Sequence, residues 1–150
     1  MRIWVDADAF PAVLKEVLYR VSERRQIAVT MVANQSMRLP PSPLLSCTVV
    51  PGGFNAADDH IVDQVEAGDL VITADIPLAD RAITRGATAL NPRGHLYTET
   101  NIKDRLGMRN LLDELRSGGE ITGGPAPFSA KDRQEFINQL DRFITRRRLA

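Results

Sequence analysis

Aspartate recurs in a pattern that can do chemistry: Asp6 and Asp8 close to the start, Asp58 and Asp59 side by side, then Asp75 and Asp80 five residues apart. Carboxylates gathered at one place repel one another and hold their protons more tightly, which is unfavourable unless a cation or a shared proton neutralises them. Hard oxygen donors with almost no histidine or cysteine nearby suit Mg²⁺ or Mn²⁺. Mg²⁺ in particular is commonly held by one or two carboxylates, water and phosphate oxygens. The chemistry implied is phosphate chemistry. Each acid also has a plainer role. Asp58 and Asp59 can complement a helix dipole, Asp75 can be a turn residue before Pro77, and Asp80 can pair with Arg81 or Arg85. The joint placement of all six favours a metal site.

That placement depends on the elements around them. Short apolar runs at Ile3–Val5, Ile27–Val32, Thr48–Val50, Leu70–Thr73 and Thr88–Leu90 read as strands, and amphipathic stretches alternate with them. Helices are expected over Ala12–Arg24, Ala56–Ala67 after an Asn55 cap, Leu78–Arg85 and about Ile102–Arg116. A Gly/Pro-rich connector at 117–128 leads to a last helix opened by Ser129 and Asp132, with Phe136, Ile137, Leu140, Phe143 and Ile144 on one face. The alternation predicts a three-layer α/β/α fold with a central parallel sheet, in one domain over residues 1–150. Sites in such sheets lie beyond the carboxyl ends of the strands. There Asp6, Asp8, Asp58, Asp59, Asp75 and Asp80 should converge, and Asp63, one turn beyond Asp59, can extend the set. Asp69 precedes its strand, so it belongs at the opposite edge and should be structural.

Composition narrows the partners. Nineteen basic against nineteen acidic residues leave no net charge, so a nucleic acid cannot be held by bulk charge. All but three of the basic residues are arginine, whose planar fork suits phosphate. Arg93, after the fifth strand, is placed to meet phosphate near the carboxylates or to pair with one of them. Asn55 and Thr73 join it as candidate substrate-binding residues. Arg105, Arg109 and Arg116 read as a solvated helix face, and Arg146-Arg147-Arg148 as a solubilising run. His60 and His95 lack partners at ligand spacing, and Trp4 reads as core. The single Cys47 excludes an internal disulfide, and no apolar run is long enough for a membrane span or a secretory segment. A cytoplasmic protein is expected, with a homo-oligomer left open.

The segments Ile3-Trp4-Val5-Asp6-Ala7-Asp8-Ala9-Phe10-Pro11, Asn55-Ala56-Ala57-Asp58-Asp59-His60-Ile61, Gly68-Asp69-Leu70-Val71-Ile72-Thr73-Ala74-Asp75-Ile76-Pro77-Leu78-Ala79 and Leu90-Asn91-Pro92-Arg93-Gly94 resemble the bacterial YaiI/YqxD family and, more distantly, the PIN-like superfamily of metal-dependent nucleases. The resemblance implies a parallel sheet of order 3-2-1-4-5. It also implies an acidic pocket in which Asp6, Asp58 or Asp59, Asp75 and Asp80 match metal-binding carboxylates, with Asp8 a feature of the closer family. A mid-helix glutamate found in many PIN-like nucleases has no counterpart here.

The leading functional expectation is a metal-dependent nuclease acting on RNA, with Asp6, Asp8, Asp58 and Asp75 as catalytic residues and Asp6, Asp58, Asp59, Asp75 and Asp80 as ligands of Mg²⁺ or Mn²⁺. Two alternatives stand beside it. One is a HAD-like phosphatase or phosphotransferase, because Asp6-Ala7-Asp8 also resembles that family's nucleophile and acid/base pair. The other is a non-catalytic module binding RNA or protein.

Overall fold

The computed structural model describes residues 1–8, 10–53, 55–117 and 127–149. Its elements run β1 (Arg2–Asp6), α1 (Ala12–Arg25), β2 (Ala28–Ala33), β3 (Leu45–Val49), α2 (Ala56–Gln64), β4 (Leu70–Ile72), α3 (Ile76–Thr84), β5 (Thr88–Leu90), β6 (Leu96–Tyr97), α4 (Ile102–Ser117) and α5 (Ala130–Leu149). The strands form one sheet of order β3-β2-β1-β4-β5-β6. The first five are parallel, as expected, and β6 is an antiparallel addition to β5. None of the described helices is long and apolar enough to cross a membrane.

Alternation along β1 builds both faces of the sheet. Ile3 and Val5 point to one side, where they meet Leu14, Val17 and Leu18 of α1 and Phe136, Leu140 and Ile144 of α5. Trp4 points to the other side, toward Ile61 of α2 and Leu78 and Ala82 of α3. Ile102 anchors α4 beside α3 and β5. These faces make the three layers, and all the named core residues are almost fully buried.

Asp69 behaves as its position before β4 predicts. It accepts hydrogen bonds from the Arg2 amide at 2.9 Å, the Trp4 indole N–H at 3.1 Å and the Glu66 amide at 2.9 Å. The last of these bends the chain after α2, which therefore stops at Gln64, earlier than its periodicity suggests. α3 begins earlier than expected, at Ile76, because Asp75 caps it and Pro77 sits in the first turn, where no N–H is required. β3 begins at Leu45, as soon as the chain leaves Pro43 and pairs with β2. Of the connector expected at 117–128, residues 118–126 lie outside the described residues.

The sixth strand arises from a tight reversal after β5. Asn91 accepts from the Gly94 amide at 2.9 Å, and its own amide donates to the His95 carbonyl at 2.8 Å. Gly94 holds a φ of +94°, and a Cβ there would lie 2.6 Å from the Glu135 Cβ and 2.7 Å from its carbonyl carbon. The absence of a side chain is what lets α5 approach. Gly94→Ala is therefore expected to destabilise the fold by about 2–4 kcal/mol, from left-handed strain plus a backbone clash. Urea melts measure this, and a loss below about 0.5 kcal/mol would show that α5 readjusts freely.

Candidate functional site

In a sheet of this order the chain leaves β1 toward β2 and returns on the other side of β1 as β4, so the loops after these two strands diverge and open a crevice. Asp6 is the last residue of β1, and Thr73, Ala74 and Asp75 follow β4 directly. Thr73 bridges them. Its hydroxyl donates to Asp6 Oδ2 at 2.9 Å and accepts from the Asp75 amide at 2.9 Å. Asp75 in turn accepts from the Leu78 amide at 3.1 Å, capping α3 and leaving Oδ2 as its second oxygen.

Asp58 enters from the first turn of α2, which follows β3. Burial and the charges of Asp75 and Asp6 push its pKa up to about 6, against the opposing pull of Arg81. The Asp6 carboxyl is also raised, first by burial and further by Asp75 and Asp8, while the Thr73 hydrogen bond works in the other direction. Asp6, Asp58 and Asp75 thus form one electrostatic unit in which negative charge is undercompensated.

The other acids are engaged elsewhere. Asp59 pairs with Arg81 at 2.9 Å and Asp80 with Lys103 at 2.8 Å. Asp8 accepts the Asn34 amide on both oxygens, at 3.0 and 3.2 Å, which ties the loop after β1 to the end of β2. Among the described residues, no three His, Cys, Asp or Glu side chains come together as a set able to hold one metal ion. A closed carboxylate cage drawing on Asp59 and Asp80 therefore does not fit. The donor chemistry of Asp6, Asp58 and Asp75 fits a hydrated Mg²⁺ or Mn²⁺ that takes one or two protein carboxylates and completes its shell with water and phosphate.

The candidate substrate-binding residues fall differently from expectation. Thr73 is buried, and its hydroxyl hydrogen is directed at Asp6, so it positions carboxylates. Arg93 pairs at 2.9 Å with Asp132, in the first turn of α5. That carboxyl sits below the usual range, chiefly through the Ser129 amide it accepts. Asn55 occupies the cap position of α2 with a φ of 63° but makes no side-chain cap bond; it remains exposed. His60 stands edge-on to Trp4 with ring centroids 6.5 Å apart. Sequence reasoning missed the Thr73 bridge, although a threonine two residues before a capping aspartate is the pattern of a local side-chain turn.

The family model described as "Uncharacterized BCR, YaiI/YqxD family" matches residues 4–146. The chain belongs to this family. It is 62% identical over 146 residues to a "UPF0178 protein" of Dechloromonas aromatica, covering 97% of each chain. It is 61% identical over 146 residues to the "UPF0178 protein" of Shewanella amazonensis, covering 97% of this chain and 98% of that one. No solved structure matches. The match to the YaiI/YqxD family runs from within β1 through most of α5, so it includes every acid of the crevice.

Two outcomes follow from this geometry. Folded Asp58 holds its proton up to a pKa of about 6, against 3.8 ordinarily, so the unfolded chain releases that proton first. Stability from this group is therefore lost as pH rises through that window and stays low above it. In EDTA at neutral pH, Asp58→Asn should melt roughly 2–5 °C above the parent protein, with the gap closing below about pH 4. Thermal melts across this range check it, and a neutral-pH variant that melts lower would mean the charge is needed structurally.

Thr73→Val keeps the volume but strands Asp6 Oδ2 and the Asp75 amide, so a loss of about 1–3 kcal/mol is expected, with Thr73→Ser close to the parent. The Asp6 carboxyl, followed by carbon-detected NMR, should titrate higher in the valine variant. An unchanged titration would remove Thr73 from its positioning role.

Proposed function

We propose that this YaiI/YqxD family protein hydrolyses phosphodiesters, in RNA, with Mg²⁺ or Mn²⁺ bound at the crevice between β1 and β4. The observation that carries the reading is the meeting of Asp6, Asp58 and Asp75 on three converging segments, where burial and then the charges of Asp75 and Asp6 raise Asp58 to about 6. Such a pocket attracts a divalent cation, and a cation with open positions attracts phosphate. When bound, the ion supplies charge neutralisation at the phosphoryl oxygens and activation of a water. The likeness of the acidic segments to PIN-like nucleases supports a phosphodiester in RNA as the substrate.

The protein's own groups have separable tasks. Thr73 holds Asp6 and Asp75 in one orientation through a single hydroxyl. Asp58 holds its proton up to about pH 6 and below that must release it to a cation, so cation binding should weaken as pH falls through about 6. Asp59 and Asp80 are placed to steady α2 and α3 through Arg81 and Lys103 and are not assigned as ligands here.

The test uses purified protein with labelled RNA oligomers and, separately, a generic phosphomonoester, each with Mn²⁺ or EDTA. RNA cleavage is expected only with Mn²⁺, and Asp6→Asn should be slower by at least about a hundredfold. Calorimetric Mn²⁺ binding should be lost in the same variant. Monoester turnover that leaves phosphate on Asp6 would instead establish the aspartyl-phosphate alternative. Absence of both Mn²⁺ binding and turnover would favour a non-catalytic module.

A further inference from the structure

The sheet ends on one side at β3, and among the described residues β2 is the strand it pairs with. The phase of that pairing is set by its two ends. The Leu44 carbonyl accepts from the Val29 amide at 2.8 Å, and the Val50 amide donates to the Ala33 carbonyl at 2.9 Å. Since a strand alternates with period two, Ser46 and Thr48 also direct their backbone groups at β2, whereas Cys47 and Val49 direct theirs away from it. Solvent-facing edges are ordinarily guarded by a charge, a proline or a bulge within the strand. Leu45-Ser46-Cys47-Thr48-Val49 carries none of the first two, and its register with β2 advances residue by residue. Val49 is 51% exposed, unusual for an apolar strand residue.

The order of side chains indicates what such an edge fits. Read in either direction the strand is apolar, hydroxyl, cysteine, hydroxyl, apolar. Antiparallel pairing about a two-fold axis through Cys47 sets Leu45 against Val49, Ser46 against Thr48 and Cys47 against its own copy. Like meets like on each face of the joined sheet, and no charge is buried. Leu45 and Cys47 are partly buried on the α1 side, so the apolar pairs would extend the existing core across the junction. We propose that β3 is a homodimer interface, at which two copies of this chain join their sheets edge to edge. Reciprocal backbone bonds at Cys47, with the Val49 amide donating to the Leu45 carbonyl on either side, supply the affinity; the Leu45 amide itself donates within the chain to the Ser42 carbonyl at 3.3 Å.

Val49 offers a selective test. Its amide faces away from β2, so Val49→Pro removes a donor to the second copy while leaving the β2–β3 ladder intact. Sedimentation of the wild-type protein over a concentration series should give a species of twice the 16.6 kDa chain mass. Val49→Pro should sediment as monomer with unchanged far-ultraviolet circular dichroism. Independently, a short bis-maleimide should link wild-type chains through Cys47 and fail with Cys47→Ser. A wild-type protein that stays monomeric throughout overturns the proposal. So does a dimer that resists Val49→Pro, gives no Cys47 link and is dissociated by Leu111→Glu on the exposed side of α4. If Val49→Pro unfolds, the Cys47 link alone decides.

Discussion

The acidic edge depends on β1 being clamped to β4 at both ends. At the amino-terminal edge Asp69 gathers the Arg2 amide and the Trp4 indole from β1, together with the Glu66 amide from the turn that leads into β4. At the carboxyl edge Thr73 does the corresponding work between Asp6 and Asp75. Between these two polar anchors the strands contribute Ile3, Val5, Leu70 and Ile72 to one apolar face. A slip of one residue in this parallel register would turn that face outward and separate the carboxylates in the same step.

This arrangement explains why acids of similar surroundings take different roles. Asp59, in the first turn of α2, and Asp80, one turn into α3, lie where Arg81 and Lys103 can reach them. Asp6 ends β1 and Asp75 caps α3 just after β4, so their carboxylates meet neutral donors, the Thr73 hydroxyl and the Leu78 amide, and Asp58 faces them from α2. A neutral donor orients a carboxylate without cancelling its charge. The crevice therefore retains a negative field that the surrounding ion pairs do not remove, in a molecule whose formal net charge is zero.

The layers were legible because their signal is short-range, in apolar runs bounded by Gly and Pro and mostly alternating with helices of one apolar stripe; the strand order came from the family resemblance, since periodicity does not encode it. Asp6, Asp58 and Asp75 were legible as a group because the carboxyl ends of parallel strands share one edge. Partners separated by many residues were not. Nothing local to Arg93 reveals Asp132, and nothing near Asp80 singles out Lys103 over the closer Arg81 and Arg85. The two-residue β6 was missed for a related reason, since it exists through the Asn91–Gly94 turn and not through any periodicity of its own.

The position of α5 has a consequence for biosynthesis. Phe136, Leu140 and Ile144 complete the core face that β1 begins, and Phe10, in the loop carrying Asp8, rests edge-on against Phe136 with centroids 6.3 Å apart. β1 thus waits for α5, which is made well after it. Until α5 has been translated, α1 alone covers this face, the part that Phe136, Leu140 and Ile144 would shield is an apolar surface of the kind chaperones bind, and the loop after β1 lacks its packing support. Nascent chains would carry all the crevice aspartates without the tertiary framework that brings them to bear on a ligand, so any activity at this edge is withheld until synthesis has passed α5.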